Sequence, residues 1–600
     1  MTRGIVIFVA AVSALAAENA TIRGRVIDAD TGRTIPSTVE IRTPDGKVVT
    51  EHASFLDGFR SPGVFEALVP AGRSTVTVSR GFDYGAEQQE LELRAGESRE
   101  IEFKIRRRTP LRKLGWYTGD NHVHMIHGER RIDVDFPYLA LAARAEGLDY
   151  ASIAQHWNLP EVTPEALDEA CRRVSAPDFT LAWNLEAPKN YWRGNVTHCA
   201  GHGWTVAMRG RTPDGRSAIE ELTEMSAWDY ESEKPPTPNF ESHAFIHSLG
   251  GIVTYTHPHR WWWGEWGGKG NYPFEKKKRV SNMAQELPFD TVVGPTYDAI
   301  DILMKPQERE VHRRAVELWF LLLNRGYRMA ATASSDTTFD NPGGGVPGKV
   351  RVYTRIVGSL DLKSVARAIK AGKNFVTSGP LLLFEIGSHQ LGDVVPLKGE
   401  VKLKARLRAW PSGDLGERLT KVELIRNGEV VRTWDPKENA EPFDAAWTVA
   451  ENGTAWYIAR CYGSTADQVA MTNPIYFEGR DYRRPEPARA HVTGTVRDSS
   501  TGRPLDGIVE VIEMNGRNPV PKAKVSFRSG RFEVTVPGTA RLRVNTSSHV
   551  GEMKSVFMDS PQLLETMLNM TPDGISDWST YEKLQELLDD VRLQYYLKPR

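Results

Sequence analysis

The sequence predicts a multidomain protein with a central α/β domain flanked by small all-β sandwich domains. Three observations carry this. A strand–turn–strand motif near the front recurs near the end; short apolar strands alternate with helices through the middle; and strict two-residue alternation returns after that. With 600 residues the chain is too long for a single core and suggests several domains.

The first seventeen residues read as a secretory signal. Arg3 precedes an apolar run from Ile5 to about Leu15, and Ala14-Leu15-Ala16 supplies small residues for cleavage. The run is Ala-rich rather than β-branched, which argues against a first buried strand. The expected location is exported, either periplasmic or secreted. No second long apolar run follows, so no membrane span is expected in the mature chain.

The repeat sets the outer boundaries. Gly24-Arg25-Val26-Ile27-Asp28 and Thr31-Gly32-Arg33 return as Gly494-Thr495-Val496-Arg497-Asp498 and Thr501-Gly502-Arg503. Each copy gives a strand, a turn at Thr-Gly and a second alternating strand, and each later shows a strand running from Phe-Glu to Val-Pro, Phe65 to Pro70 and Phe532 to Pro537. These segments predict β-sandwiches over residues 18–108 and 488–552, and they resemble carboxypeptidase-regulatory-like modules. From Leu114 to about Arg355 the strand–helix alternation points to an α/β domain with parallel strands, bounded at 112–379. Residues 380–480 form a third β-sandwich, through stretches such as Lys421-Val422-Glu423-Leu424-Ile425. Beyond residue 552 the spacing of Tyr581, Leu584, Leu587 and Leu588 predicts a helical docking tail over 553–600.

Polar residues recur where the α/β strands end. The first strand runs into Gly119-Asp120-Asn121-His122-Val123-His124, the second reaches His156, the third Glu186, a later one Thr256-His257-Pro258-His259, and the last Ser334-Ser335-Asp336. Carboxyl ends of strands face the active site in parallel α/β folds. Residues two apart in extended chain point the same way, so His122 and His124 can face one metal. Imidazole suits Zn, Mn or Fe, and added carboxylates suit a hard divalent ion.

On these residues the chain resembles the PHP (polymerase and histidinol phosphatase) superfamily, and within it the carbaryl-hydrolase-type, CehA/McbA-like metallohydrolases. The resemblance spans about 112 to 480 and includes Gly147-Leu148-Asp149 and Phe375-Val376-Thr377-Ser378-Gly379-Pro380. It implies a distorted (β/α)7 barrel with divalent metals at its mouth. It implies His122, His124, His156, Glu186, His257 and Asp336 as ligands, with His198 next by spacing and His202 as the alternate. Gln155 and Thr338 stand where the family has an acid and a histidine, which favours one or two ions of Zn, Mn or Fe over three. Metal-activated water is then the expected nucleophile on an ester, carbamate, amide or phosphoester bond. Asp336 or Glu186 would orient that water, and His257 or His259 would act as general acid.

Other features read differently. His243 and His247 have helical i,i+4 spacing but lack the Glu of a zinc-protease helix, so they read as partly buried residues of an outer helix. Trp261-Trp262-Trp263 and Trp266 suit either a stacking surface for a sugar or aromatic substrate or the core of a lid. Arg260 suits an anionic substrate or plain surface. Asn341-Pro342-Gly343-Gly344-Gly345 lacks the Lys of a phosphate loop and reads as a mobile rim. Lys+Arg 76 against Asp+Glu 77 leaves a charge of -1, and the basic runs Arg106-Arg107-Arg108 and Lys276-Lys277-Lys278-Arg279 are short, so nucleic acid is not an expected partner. Three cysteines make no disulfide framework. The partner expected is a small molecule, aromatic or sugar-containing. The competing reading is a non-catalytic carbohydrate- or surface-binding protein built on a degenerate PHP barrel.

Overall fold

A computed structural model describes residues 18–600 other than 52–55, 126–134, 156–163, 187–189, 193–194, 198–200, 205–211, 213, 226–236, 260, 263–280, 283, 305–308, 340–344 and 437–441. The signal segment falls outside this range. The protein is multidomain α/β, with a large mixed sheet and several small β-sheets. Among the described residues no helix is long and apolar enough to cross a membrane. The chain divides into two compact units. One holds residues up to Trp183, Leu303–Gln307 and Ala333–Arg480; the other holds Asn184–Ile302, Glu308–Thr332 and Asp481–Arg600.

The first unit opens with a β-sandwich whose central strand, Asn19–Asp28, pairs antiparallel with Val64–Pro70 and parallel with Ser98–Ile105. A second sheet runs in the order Phe59–Ser61, Ser37–Arg42, Gly72–Ser79, Glu87–Leu93. Alternation sends Ile22, Val26, Val39, Ile41, Val76, Val78 and Phe103 into one core. Asp28 shapes the turn: its Oδ1 accepts from the Asp30 and Thr31 N–H groups at 3.0 and 2.8 Å, and its Oδ2 accepts from the Tyr84 hydroxyl at 2.7 Å. Gly24 lies opposite Phe65, whose ring covers it so closely that a Cβ would sit 2.0 Å from the ring's Cζ.

The same plan recurs at the other end of the chain, inside the second unit. Arg489–Asp498 lies between Arg531–Pro537 and Val591–Leu597 with the same strand directions, and Gly494 lies under Phe532, again at 2.0 Å for a Cβ. Asp498 accepts from the Ser500 and Thr501 N–H groups at 2.8 and 2.7 Å. One difference matters. The first module passes from Leu93 to Ser98 by a short turn. The second inserts helices Pro561–Leu568, Pro572–Ile575 and Trp578–Leu588 at that place before its last strand. The sequence-based boundary at 552 and the helical tail over 553–600 are therefore corrected. The module runs on to Leu597, because Val591, Leu593, Tyr595 and Leu597 alternate inward on a strand.

In the α/β part of the first unit, Trp116–His124 and Tyr150–Gln155 pair in parallel. They are joined through the helix Phe136–Ala145, whose start is capped by Asp135 accepting from the Tyr138 N–H at 2.9 Å. Arg351–Arg355 adds antiparallel to the first of these strands, and Asn374–Thr377 follows. Pairing then continues through Val469–Thr472, Ala455–Tyr462 and Lys421–Arg426. The sheet thus crosses the sequence-based boundary at residues 379 and 380, and a layer of Leu381–Ile386, Val401–Trp410 and Phe443–Glu451 shares its core.

In the second unit Ile252–Tyr255 and Ala299–Leu303 are parallel. Gly201–Trp204, absent from the expected strands because Gly-His-Gly-Trp has no apolar run, pairs antiparallel with Ile252–Tyr255 and with Leu185 and Glu186. The sheet is mixed where parallel strands were expected. Beneath it lies an acidic core. Asn239 N–H donates to Glu286 Oε2 at 2.8 Å, and the Tyr255 hydroxyl donates to Asp290 Oδ2 at 2.6 Å. Burial pushes the Asp290 carboxyl up to about 8 against the Tyr255 hydrogen bond. Burial and the neighbouring Asp290 raise Glu286 as well. Burial pushes the nearby His243 down to about 3.

Two predictions follow from these cores. Gly24→Ala and Gly494→Ala are each expected to cost about 1–3 kcal/mol by overpacking. In urea unfolding, Gly24→Ala combined with Phe65→Ala should lose less than the sum of the singles; strict additivity would refute the ring-over-glycine account. For Asp290 the folded pKa is raised, so its stabilising contribution is full below about pH 4 and is lost as pH rises through about 8. The melting temperature of Asp290→Asn, relative to wild type, should therefore be higher at pH 8.5 than at pH 5.5. An equal offset at both pH values would count against a protonated Asp290.

Candidate metal centre

The strand Trp116–His124 carries a motif in which each residue has a separate task. Gly119 admits the Tyr150 ring, against which a Cβ would lie 2.0 Å from Cζ. Asn121 Oδ1 accepts from the Tyr150 hydroxyl at 3.2 Å. Val123 is buried in the core. His122 and His124, two residues apart and fully buried, turn the same way, and their Nε2 atoms lie 2.7 Å from each other. At that distance no more than one proton fits between the two rings, so at least one nitrogen presents a lone pair.

Asp336 joins them. Thr337 and Thr338 pair in parallel with Val123 and His124, which draws the preceding residue to the histidines. Asp336 Oδ1 lies 3.3 Å from His122 Nε2 and 3.2 Å from His124 Nε2. Ligands at about 2.1 Å around a tetrahedral ion stand about 3.4 Å apart; the two carboxylate–imidazole distances match that spacing, and the imidazole–imidazole distance of 2.7 Å is shorter. Asp336 has φ 47, a left-handed conformation that a non-glycine residue adopts only under constraint.

That constraint comes from Asp120, buried two residues before His122 on the same strand. Its Oδ1 accepts from the His122 and Ser335 N–H groups, both at 3.1 Å, and its Oδ2 from the Gly348 N–H at 2.7 Å. Burial raises its carboxyl pKa, and these hydrogen bonds oppose the rise. The Ser335 hydroxyl donates to Thr337 Oγ1 at 2.7 Å and stiffens the same loop. Asp120 was not among the expected site residues. Its signal was the acid two positions before His122.

In the second unit Glu186 is buried at the end of Thr180–Glu186, and His257 Nε2 lies 3.7 Å from its Oε1. The backbone register sets His202 opposite Glu186. His257 has φ 33, and the Thr256 hydroxyl beside it donates to Asp301 Oδ2 at 2.7 Å. His259 is buried elsewhere, its Nε2 2.8 Å from Ser576 Oγ. The two-residue spacing that unites His122 and His124 thus sends His257 and His259 to different partners. Ser576 had no signal in the sequence.

His156, His198, Arg260, Trp263, Trp266 and Asn341–Gly344 lie outside the described residues, as do the side chains of Gln155, His202, Trp261 and Trp262. Thr338 is buried beside His124 in the strand register. The helix pair separates: His243 Nδ1 meets Thr296 Oγ1 at 2.8 Å, and His247 Nε2 meets Asp298 Oδ2 at 2.7 Å. Each is held by its own partner; His247 is partly buried as expected, whereas His243 is fully buried, on a helix that buries most of its residues.

No protein-family model matches the chain, and no curated protein matches it. Among solved structures it is similar to a two-domain protein from Bacteroides vulgatus containing a predicted PHP-like metal-dependent phosphoesterase. The TM-score is 0.27 at 9% identity, covering 60% of this chain and 95% of that one. It is also similar to the major pilin subunit of Bacillus cereus, with TM-score 0.13 and 8% identity over 37% of this chain and 71% of that one. A third is β-glucuronidase 3 of Bacteroides uniformis, with TM-score 0.17 and 12% identity over 88% of this chain and 76% of that one.

Proposed function

We propose that the chain is an exported, divalent-metal-dependent hydrolase of PHP-like type that cleaves an ester, carbamate, amide or phosphoester bond. The observation that carries this reading is the buried convergence of His122 Nε2, His124 Nε2 and Asp336 Oδ1. His122, His124 and Asp336 are the core of the ligand set, and the family resemblance adds Glu186 as a further carboxylate. Two imidazoles and two carboxylates fit Zn, Mn or Fe. The resemblance adds His156, His257 and either His198 or His202 to the set, and the register of His202 with Glu186 supports His202. Gln155 and Thr338 keep the number of ions at one or two. The strands of the α/β part are taken as the wall of a distorted (β/α)7 barrel, and export rests on the apolar run after Arg3.

A divalent ion held there supplies a Lewis acid for a carbonyl or phosphoryl oxygen and brings the pKa of bound water towards neutrality. The chain's own groups do the rest. Asp336, beside both histidines, orients the attacking water. His257, whose Nε2 lies 3.7 Å from Glu186 Oε1, is taken to hold the proton for the leaving group. His259 is given a supporting part, since its Nε2 is engaged by Ser576. Low dielectric around these buried groups strengthens each interaction.

Metal analysis of the purified chain tests the reading. Wild type should carry stoichiometric divalent metal and turn over members of a chromogenic ester and phosphoester panel. His122→Ala and Asp336→Asn should lose both. A wild-type protein without stoichiometric metal would sink the proposal. Asp120→Asn should weaken metal binding about 10–100-fold in chelator competition, with every ligand still in place. An amide has one acceptor oxygen and would turn its NH2 towards an N–H donor, so one of the three backbone bonds must fail. Unchanged affinity would remove Asp120 from the centre's support.

A further inference from the structure

The two related β-modules differ at one place. Residues 94–97 turn the first module from one strand to the next, whereas the second places its helical insertion, residues 556–590, at the equivalent connection. We propose that this insertion is a strut for the His257 loop, with Ser576 as the positioning residue that fixes His259. The inference rests on reading His257 as part of the metal centre.

Ser576 is well placed for such work. It occupies the two-residue link between helices Pro572–Ile575 and Trp578–Leu588. The Thr571 hydroxyl caps the first, accepting from the Gly574 N–H at 3.0 Å, and Asp577 caps the second, accepting from the Ser579 N–H at 3.0 Å. The Tyr581 hydroxyl donates to Ile575 O at 2.8 Å and ties the second helix back to the link. The insertion is fixed to the α/β part of its own unit by packing as well as by charge. Phe557 packs on Phe289 with ring centroids 4.1 Å apart and planes tilted by 36°, Arg325 lies over the Trp578 ring at 4.5 Å, and Arg314 pairs with Asp573. A link braced on this many sides presents its hydroxyl rigidly to His259 Nε2.

The loop it meets needs a brace. His257 holds a left-handed conformation ahead of Pro258, and such a conformation persists only where the surroundings over-determine it. Thr256 is tied to Asp301 on one side of His257, and His259 to Ser576 on the other. Together the two anchors hold the His257 imidazole towards Glu186. The C-terminal module is on this account a working part of the centre.

Hydrogen exchange and Mn titration on the full chain test it, using wild type, Ser576→Ala and Ser576→Thr. Ser576→Ala should speed exchange in the peptide covering Thr256–His259 about tenfold and weaken Mn binding about tenfold. Ser576→Thr, which keeps the hydroxyl, should restore both. Unchanged exchange and affinity in Ser576→Ala would overturn the strut. Should Ser576→Ala unfold the insertion, His259→Ala must reproduce the loosened exchange while the insertion keeps its wild-type protection; failure to do so overturns it equally. A wild type that binds no Mn, Zn or Fe defeats the metal-centre reading, while the exchange measurements still decide whether Ser576 holds the loop.

Discussion

The carboxylate of Asp120 accepts from three backbone N–H groups on three separate stretches of chain, at His122, Ser335 and Gly348. None of these groups is free to meet water, and an unpaired buried N–H would cost about 1–3 kcal/mol each. One side chain therefore ties the end of the histidine strand to the loop that carries Asp336. Without such a fixed point, the left-handed backbone at Asp336 would relax and its carboxylate would leave the two imidazoles. From Gly348 the connection runs outwards. Arg351 donates to Gly348 O and to Glu146 O, and Glu146 Oε1 accepts from Thr38 and Arg60 of the N-terminal module at 2.8 and 3.1 Å. Buried polar contacts of this kind demand complete pairing, so the module is fitted to the α/β part rather than hung from it.

The two β-modules show how one short motif specifies a fold twice. An aspartate gathers the turn's N–H groups, and a glycine makes room for a phenylalanine ring from the neighbouring strand. Each device is local enough to be copied, which is why both copies retain it. What surrounds the Asp differs: Tyr84 closes on Asp28, whereas His549 Nε2 meets Asp498 Oδ2 at 2.8 Å. The connection that ends each module differs more. A turn in one and three helices in the other occupy the same topological place, so the repeat supports a new contact without disturbing its core.

Spacing alone does not decide where paired histidines point. His122 and His124 lie on a regular strand, where alternation aligns them. His257 and His259 flank Pro258, with positive φ at His257, so the chain turns between them. One imidazole meets a carboxylate and the other a serine hydroxyl. Among the described residues, His257 and Asp336 hold left-handed backbone without being glycine. Backbone strain gathered at such positions is characteristic of sites whose geometry the surrounding fold imposes.

Much of this was legible in the residues themselves. Alternation and turn chemistry are short-range, so the strands of both modules, the His122 and His124 pair and the apolar faces of the helices could be read directly. The last strand could have been read too, since Val-Arg-Leu-Gln-Tyr-Tyr-Leu alternates, but the helical spacing just before it prevailed. Antiparallel pairing by Gly201–Trp204 was not legible, because a strand of Gly-His-Gly-Trp owes its existence to its neighbours. The sequence by itself determined which residue types stand at the strand ends and that two modules share one plan. Only the tertiary structure decided that Asp120 clamps the Asp336 loop and that Ser576 meets His259. Those contacts join residues more than two hundred positions apart, and no local pattern encodes a distance that the folded chain alone brings to zero.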